Sequence, residues 1–309
     1  MLRTVGTHYL ILNNNNIFDM KRFSFMLVFA AAVIFFACSK ENGQESDGNV
    51  VRFVSEHPSQ SKVTDTNFEV NDAIGVYITA AASDLQLGGN EMNNEKFIYN
   101  GSVWNSTRKM WWNEGLHNVY AYYPYIQSVN DVDNFTFSVS QNQDSAPANG
   151  QLGGYEASDF LWASSMNVKG SSEPVSLKFS HRMSKVIVKI TKSEDYEGEL
   201  PSDIEVYIHN TVPVASVSLS TGDVSKDMFA SVASIKARRL SVSEYTACLV
   251  PQNIESRRPL IEVITSGISY LMEGKISLKQ GYMHTIIIEL SKNPEQSKIE
   301  IGGNIGGWN

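Results

Sequence analysis

Apolar and polar residues alternate along most of this chain. Phe135, Phe137 and Val139 alternate with Thr136, Ser138 and Ser140, and Ile204, Val206 and Ile208 alternate with Glu205, Tyr207 and His209. Ile286, Ile288 and Leu290 repeat the pattern. A period of two turns one set of side chains to a core and the other to solvent, so these stretches predict half-buried antiparallel strands. Further strands are expected at 50–54, 74–79, 96–99, 119–123, 160–163, 175–179, 185–191, 214–220, 246–250, 260–265 and 269–273. Asn100-Gly101, Thr221-Gly222-Asp223 and Ser266-Gly267 supply the turn conformations between them. Helical periodicity is nearly absent. Segment 225–237 has room for one or two helical turns at most, since Ser and β-branched residues crowd it. The expected fold class is therefore all-β. A boundary near residue 180 divides the strands into two groups of about seven or eight, a usual complement for a sandwich. That places an N-terminal antiparallel β-sandwich over 50–180 and a C-terminal one over 181–309, with 142–155 as a long surface loop in the first.

The N-terminal 37 residues break this pattern. Lys21 and Arg22 precede an apolar run over 23–36, then Ala37, Cys38 and the polar stretch 39–49. A membrane span needs about 20 residues, and this run has 14. Positive charge, short apolar segment, small residue and cysteine, in that order, read as a bacterial lipoprotein signal over 1–37, with Cys38 the lipidation site and 38–49 a flexible tether. Met20 stands directly before Lys21-Arg22, which makes it the expected true start and 1–19 a discarded stretch.

Removing 1–37 takes away Arg3, Lys21, Arg22 and Asp19 and moves the net charge from −8 to about −10. Such a balance argues against nucleic acid as a partner and against electrostatic docking on anionic lipid, leaving the lipid on Cys38 to hold the chain to its membrane. The second cysteine, Cys248, lies between Ala247 and Leu249-Val250 and reads as a small core residue. The fold must then rest on apolar burial rather than cross-links.

Catalytic chemistry has little support. Histidines 57, 117, 181, 209 and 284 are scattered, and neither a His-x-x-x-His nor a Cys-x-x-Cys spacing occurs, so no metal or other cofactor is expected. Carboxylates such as Glu69, Asp72 and Asp159 lie in or beside loops, where acids usually form turns or meet solvent. No catalytic residue is assigned. The aromatic series from Trp104 through Trp111-Trp112 to Tyr123 is a better lead, since exposed rings stack on sugars and anchor interfaces. Trp111, Trp112 and Tyr123 are the candidate glycan or partner contacts, with core packing as their competing role.

Several phrases, taken together and in order, resemble the fimbrillin family of Bacteroidales surface lipoproteins. They are Ser61-Lys62-Val63-Thr64, Phe68-Glu69-Val70-Asn71-Asp72-Ala73-Ile74-Gly75-Val76-Tyr77, Tyr122-Tyr123-Pro124-Tyr125, Asp159-Phe160-Leu161-Trp162-Ala163, Leu177-Lys178-Phe179-Ser180-His181-Arg182-Met183-Ser184-Lys185-Val186, Leu249-Val250-Pro251-Gln252, Gly281-Tyr282 and Trp308. The resemblance implies two tandem transthyretin-like sandwiches in a non-enzymatic subunit of an adhesive fimbria, lipid-anchored at the outer membrane. Its partners would be other fimbrial subunits, the membrane through the lipid, and a host or bacterial surface ligand. It also implies assembly in which a basic-residue-specific protease removes the first strand, here 50–54, and an extended strand from another subunit fills the vacated groove. Lys62 is the matching cleavage position and Arg52 a second, though a strand would hide its peptide bond. Many members carry Arg where this chain has Lys62. The donor strand would be Ile299, Ile301, Ile305 and Trp308, but Gly302, Gly303, Gly306 and Gly307 make it a poor strand. A tip, anchor or accessory subunit fits better than a main stalk subunit. The alternative is a surface glycan-binding lipoprotein of a polysaccharide-uptake system.

Overall fold

A computed structural model describes residues 48–56 and 67–308, apart from the side chains of 303–305. The first half carries β1 (Arg52–Glu56), β2 (Ala73–Ala80), β3 (Met92–Tyr99), β4 (Trp104–Ser106), β5 (Leu116–Tyr123), β6 (Phe135–Ser138), β7 (Leu161–Lys169), β8 (Val175–Lys178) and β9 (Ser180–His181). The second half carries β10 (Ser184–Lys192), β11 (Glu205–Thr211), β12 (Val214–Val217), β13 (Val224–Lys226), β14 (Ala233–Lys236), β15 (Arg238–Arg239), β16 (Glu244–Leu249), β17 (Asn253–Ile254), β18 (Pro259–Thr265), β19 (Ile268–Glu273), β20 (Ile276–Ser277), β21 (Tyr282–Leu290) and β22 (Lys298–Gly307). Two single-turn 3₁₀ segments, Glu156–Ser158 and Pro294–Gln296, are the helical content of the described residues. The all-β expectation holds.

Eight strands of the first half form one sheet in the order β8-β1-β4-β3-β2-β5-β7-β9. β7 touches β8 although five strands lie between them in that order, so the sheet curls round and its inner face wraps a core of Phe53, Phe97, Trp104, Leu177 and Phe179. In the second half a five-stranded sheet, β15-β16-β10-β21-β22, and a four-stranded sheet, β14-β11-β18-β19, contribute to one apolar core through Val186, Val188, Ile286 and Ile288 on one side and Val206, Ile261 and Val263 on the other. That core continues into the first half. The outer face of β2 and β5, through Tyr77, Tyr120 and Tyr122, belongs to it together with Phe135, Phe137 and Phe160.

Burial on both faces explains the sequence of β2 and β5. Ile74, Val76 and Ile78 face one core and Tyr77 the other, so the run is nearly continuous in apolar residues instead of alternating.

Three features differ from the sequence reading. Segment 225–237 contains β13 and β14 and no helix, because β12 and β11 offer each a pairing partner. Segment 298–307, glycine-rich as it is, forms a strand ten residues long. β6 pairs with β12, from Val214↔Ser138 to Val217↔Phe135, and so ties the two halves across residue 180.

Candidate functional site

The first strand sits inside its sheet, not at an edge. β1 runs parallel to β8, from Phe53↔Val175 to Glu56↔Lys178, and antiparallel to β4 through Arg52↔Asn105 and Phe53↔Trp104. Phe53 is fully buried, its ring edge-on to Phe97 at 5.0 Å and to Trp112 at 6.3 Å. Just ahead of the strand, Val51 N–H donates to Met110 O at 2.8 Å and Trp112 N–H to Asn49 O at 2.9 Å. Arg52 donates from its guanidinium to Ser172 O at 2.7 Å, and its backbone is covered by β4. Cys38 and Lys62 lie outside the described residues.

The last strand is the edge of the five-stranded sheet. β22 pairs antiparallel with β21 from Tyr282↔Gly307 to Glu289↔Lys298, with register shifts around Thr285. An edge with such irregularities tolerates the glycines that a central strand would not. Ile299 and Ile301 pack half-buried on the core, and the side chain of Ile305 falls outside the description. Trp308 closes the strand: its N–H donates to Gly281 O at 2.7 Å, and its indole stacks on the His181 imidazole at 3.8 Å and 9°. His181 Nδ1 lies 2.8 Å from Asp159 Oδ1, which as a carboxylate oxygen accepts the ring proton. The Lys185 ammonium sits 5.5 Å from the Trp308 ring centre. Asp159, the His181–Lys185 phrase and Trp308 come from three separate segments, and no single-segment pattern shows that they meet.

A second join surrounds Asp72. Its Oδ2 accepts from Glu69 N–H at 2.7 Å and its Oδ1 from the Tyr123 hydroxyl at 3.3 Å. Burial pushes the Asp72 carboxyl up, and burial followed by the Asp72 charge pushes the Tyr123 phenol up. Asp72 and Asp159 are thus each tied to a structural partner.

A family model described as fimbrillin-like matches residues 61–308. The chain belongs to the fimbrillin-like family. It is similar to a candidate cell adhesion protein from Bacteroides ovatus, with 18% identity, 85% of this chain and 98% of that one covered, and a TM-score of 0.65. A candidate cell adhesion protein from Bacteroides uniformis gives 16% identity, 85% and 100% coverage and a TM-score of 0.61. At these identities the likeness is one of fold. No curated protein sequence matches the chain at a significant level. As a fimbrillin-like protein the chain is a surface fimbrial subunit that associates with other fimbrial subunits. No helix among the described residues is long and apolar enough to cross a membrane.

The aromatic contacts read from the sequence separate in this fimbrillin-like fold. Trp111 is 54% exposed, whereas Trp112 and Tyr123 are both 7% exposed and packed in the core under the eight-stranded sheet. Neighbours in extended backbone point to opposite sides, so Trp111 faces out because Trp112 faces in. Trp112 and Tyr123 therefore present no face for stacking and take the competing role of core packing, a correction to their reading as glycan or partner contacts. Trp111 keeps that capacity. It lines a cleft of about 300 Å³ with Glu91, Met92, Arg108 and Asn113.

Proposed function

We propose that this fimbrillin-like chain is a non-enzymatic subunit held at the outer membrane by lipid on Cys38, and that it occupies a tip, anchor or accessory place in a fimbria assembled by strand addition. The observation that carries the reading is the inner position of β1. It is a strand of only five residues, and its onward connection runs through the segment containing Lys62. A cut there leaves β1 held by main-chain bonds to β4 and β8 and by the pocket around Phe53. Its departure would open a slot with a hydrogen-bonding wall on each side and an apolar hole in register, the geometry an added strand requires. β22 favours a terminal place: the residues read as donor are engaged in the chain's own sheet, and donating them would mean breaking that ladder and the Trp308 stack. The proposal keeps two tandem transthyretin-like sandwiches, 50–180 and 181–309, as the units of the chain.

Mass spectrometry of fimbriae sheared from cells tests this. A polymerised subunit should begin at Val63, and Lys62→Gln should leave the chain uncut and cell-bound. Fimbriae containing only chains that still carry lipidated Cys38 would overturn strand addition while leaving the anchor standing. Metabolic labelling with a palmitate analogue should mark the chain and fail on Cys38→Ala.

A further inference from the structure

The cleft beside Trp111 has the makings of a binding site in the chain that retains its first strand. Val51, Ile78, Met92 and Trp112 give it an apolar wall, and Glu91 and Asn113 supply a carboxylate and an amide. These polar groups are fixed in place. Asn113 Nδ2 donates to Glu91 Oε2 at 3.0 Å, and the fully buried His117 donates from Nε2 to Asn113 O at 3.1 Å. Trp112 is 93% buried by its 7% exposure, and its indole Nε1 has no hydrogen-bond partner among the described residues. That donor is closed to solvent, so Trp112 meets the cleft through its apolar surface. Trp111, half in solvent, adds a flat ring at the mouth.

The composition of the site selects the ligand class. A cleft of about 300 Å³ lies at the lower end of the ligand-pocket range of about 300–1,000 Å³, which suits one or two sugar rings and not a folded partner. Arg108 and Lys109 stand against Glu91 and Glu95, with Arg108 Nη2 at 3.0 Å from Glu95 Oε2, so the surroundings carry no net charge to attract an ionic ligand. An aromatic face with a carboxylate and an amide in fixed geometry matches the apolar face and hydroxyl pairs of a pyranose. We infer that this cleft binds a neutral saccharide, with Trp111 as stacking surface and Glu91 and Asn113 as hydrogen-bonding groups. The inference goes beyond the subunit's place in the fibre and concerns the chain that retains its first strand, since Val51 lines the cleft.

The test uses the full-length purified chain on an array of neutral and uronate-bearing oligosaccharides, followed by titration of the best-bound neutral oligosaccharide by tryptophan fluorescence. Trp111→Ala should weaken binding at least about tenfold with an unchanged melting temperature, because half of that side chain lies in solvent. Trp111→Phe should retain most of the affinity, and Asn113→Ala should lose part of it. Absence of any bound neutral saccharide, retention of uronate-bearing oligosaccharides alone, or binding indifferent to both alanine variants would each overturn the assignment. A peptide library captured at Trp111 while the saccharides fail would overturn it as well.

Discussion

Gly75 accounts for the glycine in the Asp-Ala-Ile-Gly phrase. It pairs with Tyr122 across β2 and β5, and a Cβ added there would stand 2.3 Å from Tyr122 Cε1 and 2.7 Å from Asn94 Oδ1. Tyr122 is fully buried, and its hydroxyl donates to Asn94 Oδ1 at 2.7 Å and lies 3.0 Å from Ile126 O. The ring has nowhere to retreat. Gly75→Ala should destabilise the fold by about 3 kcal/mol, combining overpacking with loss of a buried hydrogen bond, and a urea titration showing less than about a third of that would contradict the contact. His284 gives a pH effect of defined sign. It is buried, its Nε2 accepts from Lys279 N–H at 3.3 Å, and burial, then the Lys279 charge, holds its pKa below 6.5. Below that value the unfolded chain binds a proton that the folded chain refuses, so stability present above pH 6.5 is lost as pH falls toward the depressed folded value. Unfolding free energies measured between pH 8 and pH 5 should therefore decline on acidification, and the decline should shrink in His284→Gln.

At the scale of elements, the strands with clean alternation were legible and their partners were not. β6, β11 and β21 appear in the sequence because one face of each meets a core and the other does not. β4, β13 and β15 are two or three residues long, too short for a period to register, and exist because neighbouring strands complete them. β22 escaped for another reason: its glycines contradict strand propensity, and what holds it is the ladder to β21 together with Trp308, a residue distant in sequence from His181 and Lys185. The candidate site divides the same way. Trp111, its neighbour Asn113 and the first strand lie in local sequence, whereas Glu91, just ahead of β3, comes to the cleft only through tertiary pairing. Since Trp308 closes β22, Trp308→Ala should raise amide exchange across 298–307 while leaving the centre of β10 protected. Equal loss of protection in both would show that Trp308 supports the whole sheet and not its edge.

For the molecule as a whole, the question is whether the halves on either side of residue 180 come apart. Residues 48–308 fall in one compact unit, and several joins cross the boundary. β6 pairs with β12, Trp162 donates from its indole N–H to Leu219 O at 2.8 Å, and the Gln143 amide bonds both the N–H and the C=O of Cys248, at 2.8 and 2.7 Å. Gln143 and Cys248 are buried, so separating the halves would strand an amide pair and open the tyrosine face of β2 and β5 to water. The curled sheet around Phe53 shares none of its core with the second half, yet its outer face is part of the larger core. Its stability is therefore coupled to a partner that it needs to cover that face. Urea unfolding followed by tryptophan fluorescence, which reports mainly on Trp104, Trp111, Trp112 and Trp162 of the first half, should coincide with unfolding followed by far-ultraviolet circular dichroism. Two separated transitions would mean that the crossing bonds are too weak to couple the halves. Gln143→Ala, which removes both amide bonds to the Cys248 backbone, should lower the common midpoint without splitting it.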